Sequence, residues 1–145
     1  MAHVPKDAEW FLADLVQEIR VAGTKQNIVH INYVIIHARS PQAAYARAMT
    51  IGKKSAMSYK NLHGKMVTIR FRGLGNLDVI YEPLGDGCEI MCREKLGVTE
   101  GGIKKMVSPK RKLEVFMPIR GRPGRPDFSS QEVMNELAKR LKGKR

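Results

Sequence analysis

An α+β fold, a mostly antiparallel sheet with one helix packed on it, is what this chain of 145 residues predicts. Three patterns underlie the expectation: a period of two over residues 10–21, a β-branched run over 28–38, and a Ser-Pro pair at 40–41. In the first, the odd positions read Phe11, Ala13, Leu15, Gln17, Ile19 and Val21, while Asp14, Glu18 and Arg20 fall between them. That alternation suits a half-buried strand. Phe11, Leu15, Ile19 and Ala22 also share a helical stripe, so a helix competes for the same residues. The second pattern, with Val29, Ile31, Tyr33, Val34, Ile35 and Ile36, reads as a strand outright. Gly23 and the polar Thr24–Asn27 supply a turn, so the two segments form a long hairpin.

Ser40 is a helix N-cap, and Pro41 occupies the first helical position. Ala44, Ala48 and Ile51 make a stripe of small residues that lets this helix lie close to a sheet, and its end is expected near Tyr59. In Met66–Arg72, Val67, Ile69 and Phe71 face one way and Thr68, Arg70 and Arg72 the other. Gly73–Asn76 reads as a turn before a further strand, Leu77–Tyr81. Pro83–Gly87 is then a tight turn and Cys88–Arg93 a returning strand. Ile103–Val107 is either a short helix or an irregular edge, and Leu113–Met117 an edge strand.

The charge is uneven. The formal net charge is +12, and residues 104–145 hold 13 Lys/Arg against 4 Asp/Glu, as many cations as the preceding 103 residues together. Such an asymmetry points to a basic tail that meets a polyanion or an acidic protein surface, or to a tail that merely keeps the chain soluble. Residues 118–127 are dominated by Arg, Gly and Pro and cannot build a core, so they are expected to be extended and mobile. Ser129 and Glu132 form a capping-box signature. After it Val133, Met134, Leu137, Ala138 and Leu141 share one face of a basic amphipathic helix that needs a surface to pack on. The expected organisation is an α+β domain over 1–117, a linker over 118–128 and a C-terminal helix over 129–145. No apolar stretch reaches the ~18 residues of a membrane span, and acidic residues interrupt the only signal-peptide candidate. The class expected is cytoplasmic, with no membrane partner.

Arg120-Gly121-Arg122-Pro123, with the partial echo Gly124-Arg125-Pro126, resembles the core of an AT-hook, the short peptide that lies in the minor groove of A·T-rich DNA. Glycine lets the backbone sink into a narrow groove, proline keeps the flank extended, and arginine meets the strong negative potential on the floor. The resemblance implies groove entry by Arg120, Gly121 and Arg122, an exit shaped by Pro123, and further contact by Arg125. The match departs from the pattern at Ile119, where a proline belongs, and at Asp127, an acid among bases. A plain basic linker accounts for the same residues. Lys110, Arg111 and Lys112, with Lys104 and Lys105 upstream, would add phosphate contacts without reading sequence, or form a solvated loop.

Catalytic signatures are lacking. Cys88 and Cys92 lie about 13 Å apart if they sit on a strand, too far to share an ion, and no second pair accompanies them, so no metal is expected. His30 and His37 fall on opposite faces of their strand. Gly73-Leu74-Gly75-Asn76 lacks the Lys-Ser/Thr of a phosphate-binding loop. No catalytic residue and no cofactor are expected.

Several packing and turn signatures resemble a family of small bacterial proteins catalogued only as a domain of unknown function. They are Trp10-Phe11-Leu12-Ala13, Ile36-His37-Ala38, Gln42–Ala48, Phe71-Arg72-Gly73-Leu74, and Asp86-Gly87 with Glu89. The resemblance spans residues 10–116 and implies an intracellular α+β domain, with no activity to carry over. The expected function is therefore non-enzymatic binding of A·T-rich duplex DNA by the C-terminal arm. The alternative is a protein–protein or accessory, immunity-type module that docks a partner or a second copy through Val133, Met134, Leu137 and Leu141.

Overall fold

The computed structural model describes residues 4–118 and 124–143, and on the C-terminal helix the side chains of residues 131–134, 136 and 137 lie outside the description. Four strands, β1 (Trp10–Val21), β2 (Ile28–His37), β3 (Met57–Lys60) and β4 (Met66–Val79), form one antiparallel sheet in the order β2-β1-β4-β3. Helix α1 (Pro41–Lys54) packs on one face of it. The architecture is α+β, as the sequence predicts.

Period-two patterning places the core. On β1, Phe11, Ala13 and Leu15 are buried against Ala44 and Ala48 of α1, which are completely buried, while Ile19 and Val21 are buried in a second cluster with Val67. Gln17, in the same row, is 8% exposed, so its amide needs partners. It donates to the Ser55 hydroxyl at 2.6 Å and accepts from Asn32 Nδ2 at 2.8 Å, tying β1 to β2 and to the end of α1.

The helix begins as expected, with the Ser40 hydroxyl accepting from Ala43 N–H at 3.1 Å. It ends earlier than expected, at Lys54 rather than near Tyr59. Ser55 donates its hydroxyl to the Gly52 carbonyl at 2.5 Å and its backbone N–H to the same oxygen, closing the last turn. Residues 57–60 then pair with β4, Tyr59 opposite Val67, so backbone groups that a longer helix would have used enter the ladder instead.

Residues 66–79 form one strand, not two separated by a turn at Gly73–Asn76. Its pairing with β1 shifts twice, leaving Arg72 and Gly75 as extra residues. Such bulges absorb glycine without breaking a strand, and Gly73 takes a φ of 135° beside the first of them. Cys88–Arg93 forms no strand. β3 pairs only with Met66–Ile69 of β4, and the returning segment bonds to its own turn rather than extending the ladder along the rest of that edge. Cys88 N–H bonds the Gly85 carbonyl at 3.1 Å, and Glu89 N–H bonds the Glu82 carboxylate at 2.9 Å.

The chain divides into two compact units, one of Met1–Met91 with Arg125–Arg145 and one of Cys92–Gly124. In the second, α2 (Glu100–Met106) is capped by Thr99, whose hydroxyl accepts from Gly102 N–H at 3.1 Å. Leu113–Met117, expected as an edge strand, is built around a 3-10 turn over Glu114–Phe116. Phe116 N–H bonds Leu113 O at 2.9 Å and Met117 N–H bonds Glu114 O at 3.1 Å, so the backbone is satisfied locally rather than in a ladder. Helix α3 (Gln131–Lys142) closes the described chain.

Candidate functional site

Of the arm residues, Arg120, Gly121, Arg122 and Pro123 lie outside the described residues, and Arg125 is exposed. The segment that follows makes specific contacts with the sheet domain. Pro126 is buried, Asn61 Nδ2 donates to the Asp127 carbonyl at 2.9 Å, and the Tyr59 hydroxyl donates to the Phe128 carbonyl. The His63 ring lies 3.4 Å from the Asp127 carboxylate, and the Phe128 ring meets His30 edge-on at 5.4 Å between centroids. Residues 126–129 therefore form a strap across β2 and the β3–β4 turn. Asn61 is its receiver: 7% exposed, it also accepts His63 and Lys65 backbone N–H on Oδ1, both at 2.9 Å. Asp127, an intruder in a DNA-binding reading of the arm, is an anchor. Its carboxyl is held below the usual carboxylate range by Ser129, whose N–H donates to Oδ1 at 2.9 Å, with a further contribution from His63.

In the second unit Lys110, Arg111 and Lys112 occupy a 3-10 turn and are fully solvent-facing. Lys110 Nζ lies 5.2 Å from the Phe116 ring centroid, in cation–π range. Leu96, Ile103, Met106, Val107, Val115 and Phe116 are likewise exposed. Of the residues expected on the partner-binding face of α3, Leu141 is 71% exposed, and the side chains of Val133, Met134 and Leu137 lie outside the described residues.

A constellation that sequence reasoning passed over sits on the sheet face away from α1. There β1 presents Asp14, Val16, Glu18 and Arg20, and β2 presents Val29, Ile31, Tyr33 and Ile35. Beside them β4 presents Arg70 and the bulge residue Arg72. Glu18 is the hub. Its carboxylate accepts from Asn27 Nδ2 at 2.6 Å, meets Arg20 Nη2 at 3.1 Å, and accepts from Arg72 Nη1 at 3.2 Å. The Asn27 hydrogen bond, then Arg20, Arg72 and Arg70, hold its carboxyl below the ordinary range. Only 10% of the Glu18 side chain is exposed, against 60% for Arg20 and 50% for Arg72. Val16, Glu18, Arg20, Val29, Arg70 and Arg72 enclose a shallow cavity of about 460 Å³. The signal was present in the sequence, since Arg20, Arg70 and Arg72 all fall on the polar phase of their strands. Nothing local says that strands 50 residues apart are neighbours.

Cys88 is half-buried and accepts from Gly85 N–H at 3.4 Å through Sγ, whereas Cys92 is exposed. Neither lies on a strand, so the strand spacing does not apply to them. His37 stacks on Trp10 at 4.7 Å on the opposite sheet face from His30, as their spacing implies. Among the described residues no group of three or more His, Cys, Asp or Glu side chains could hold a metal ion. Among them, too, no helix is long and apolar enough to cross a membrane.

No curated protein and no solved structure matches the chain. One family does, over residues 10–92, which run from the first residue of β1 through all four strands and α1 to the end of the Cys88 loop. The match takes in the arginine cluster and leaves out α2, the basic turn, the arm and α3. By that match the chain belongs to the family described as a domain of unknown function, DUF4288.

Proposed function

We propose that this is a non-enzymatic, cytoplasmic nucleic-acid-binding protein of bacterial type. In this reading the arm over Arg120–Arg125 contacts A·T-rich duplex DNA in the minor groove, and Lys110, Arg111 and Lys112 add phosphate contacts. The supporting observation is the partition of charge about the family domain. Residues 93–145 hold 15 Lys/Arg against 6 Asp/Glu, while residues 10–92 hold 10 against 6. The strap at 126–129 gives such an arm one fixed end. An arm tethered at its base loses less conformational freedom on binding than a free tail does.

The test compares the full chain with an Arg120→Ala/Arg122→Ala variant on A·T-rich and G·C-rich duplexes over a salt series. Each phosphate contact contributes about −0.9 to the slope of log K against log salt. The double variant should therefore flatten the slope by up to about 2 units and erase the A·T preference. Unchanged affinity and slope would remove the arm from the interface.

A second reading, docking of a protein partner or a second copy through α3, is favoured by the exposure of Leu141. It predicts that Leu137→Asp/Leu141→Asp abolishes self-association in sedimentation or loses a partner in pull-down. Unchanged behaviour in both would count against it.

A further inference from the structure

We propose that the outer sheet face of the family domain is an oxyanion site for the phosphate group of a nucleotide, gripped by Arg20, Arg70 and Arg72 above Val16 and Val29. This site lies apart from the arm and does not depend on it.

The first argument is charge. Three guanidinium groups border the cavity with one carboxylate, that of Glu18, so the site carries an excess of two positive charges. A phosphate monoester carries about −1.5 to −2 at neutral pH and matches that excess, whereas a carboxylate or a single phosphodiester supplies −1. The second argument is preorganisation. Glu18 is nearly buried, is fixed by Asn27, and meets Arg20 and Arg72 through different oxygens. It therefore acts as a strut that holds two planar guanidinium forks at the rim while leaving their remaining N–H groups for a ligand. Arg70 faces the same cavity and makes no ion pair among the described residues, so its fork is uncommitted. Bidentate Arg–phosphate contacts are the strong, geometrically selective kind.

The third argument is what lies beside the cations. Ile31 and Tyr33 continue the outer face of β2 from Val29, and they are 51% and 58% exposed. Two residues along a strand is about 6.6 Å, so Ile31 lies where the sugar and base of a nucleotide held by its phosphate at Val29 would fall. An exposed apolar strip beside an arginine cluster suits a ligand with one anionic end and one flat apolar end. Inorganic anions would use the first feature alone.

The experiment is backbone-amide NMR titration of the full chain at low salt with inorganic phosphate, adenosine 5′-monophosphate, adenosine and an unphosphorylated oligo(dA) strand. Saturable shifts are expected around residues 16–20, 29–31 and 70–73, with the nucleotide binding more tightly than phosphate and adenosine alone not binding. Arg70→Gln removes an uncommitted side chain and should weaken the nucleotide about tenfold. Arg70→Lys, which keeps the charge and loses the fork, should fall between the two. Lys25→Gln and Arg120→Ala/Arg122→Ala should bind the nucleotide like the wild type, which separates this site from the arm. If the oligonucleotide binds more tightly than the nucleotide and also loses affinity in Arg70→Gln, the phosphate is that of a strand rather than of a free nucleotide. Equal binding of adenosine and its monophosphate, the absence of saturable shifts, or wild-type affinity in Arg70→Gln would each overturn the proposal.

Discussion

Replacing Gly52 by alanine sets two effects of known size against each other. Gly52 lies in the last turn of α1, where alanine should gain up to about 1 kcal/mol in helix propensity. A Cβ built there, however, would sit 2.3 Å from Phe71 Cζ and 2.4 and 2.6 Å from the two Cε atoms, where ordinary contact begins at 3.4 Å. The ring must swing away by about an ångström, out of its packing against the core that holds Ala44 and Ala48. Overpacking of that kind costs about 1–3 kcal/mol, and the partial exposure of Phe71 leaves it room to yield, placing the cost in the middle of that range. Gly52→Ala should therefore destabilise the domain by about 1 kcal/mol, a fall of roughly 0.5 M in the urea midpoint. The sharper expectation concerns sign. All three clashing atoms are Cε or Cζ, which leucine lacks, so in a Phe71→Leu background the same substitution should stabilise by up to about 1 kcal/mol. The double-mutant cycle should then show a coupling near 2 kcal/mol. A rise in the midpoint for Gly52→Ala alone, or the same sign in both backgrounds, would refute the close approach of helix and strand as the reason for glycine here.

The strap yields two further expectations. Asn61→Ala removes the Oδ1 acceptor of two N–H groups in the β3–β4 turn and the donor to the Asp127 carbonyl, and should cost about 2–3 kcal/mol in urea unfolding together with faster chymotryptic cleavage after Phe128. Stability within 0.5 kcal/mol of wild type would contradict the role given to that side chain. Asp127 has its folded pKa depressed, so its stabilising contribution is present above the unfolded carboxylate value near 4 and is lost as pH falls through the folded value. The gap in unfolding free energy between wild type and Asp127→Asn should thus be full at pH 6 and shrink steadily below about pH 4. Glu18 titrates in both proteins and cancels in the difference. A gap independent of pH from 6 to 2.5 would mean that the ionised carboxylate is not what holds the strap.

How far the fold could be read from the sequence depended on whether the deciding physics was local. The β1 alternation, the Ser40-Pro41 start and the Ala44–Ala48 stripe are properties of adjacent residues, and each reappears in the structure with its expected bounds or burial. The end of α1 was not legible, because it depends on Ser55 meeting Gln17, a residue 38 positions away. Gly73–Asn76 reads as a turn on composition. The pairing of residues on both sides with a single long β1 keeps the segment within one strand, with Arg72 and Gly75 as its bulge residues. Cys88–Arg93 and Leu113–Met117 have strand composition, but a strand is defined by its partner, and composition does not reveal whether an edge is free.

The same distinction separates the two candidate sites. The Arg-Gly-Arg-Pro arm is a linear motif, legible in four residues, and it lies beyond the end of the family match at residue 92. The arginine cluster inside that match is assembled from three segments by the register of β1 with its neighbours on both sides. Arg72, which alternation from Arg70 places on the outer row, is the extra residue of a bulge and meets Glu18 at 3.2 Å. Glu18 in turn meets Arg20 and Arg72 through its two carboxylate oxygens. A nearly buried carboxylate at the centre of a solvated sheet face costs desolvation that a surface alanine would not. The Asn27 hydrogen bond and the arginines outweigh that cost, since they hold the Glu18 carboxyl below its ordinary range. Each arginine still exposes half or more of its side chain, so the cluster that steadies the sheet also leaves guanidinium groups open to an anion on its outer face.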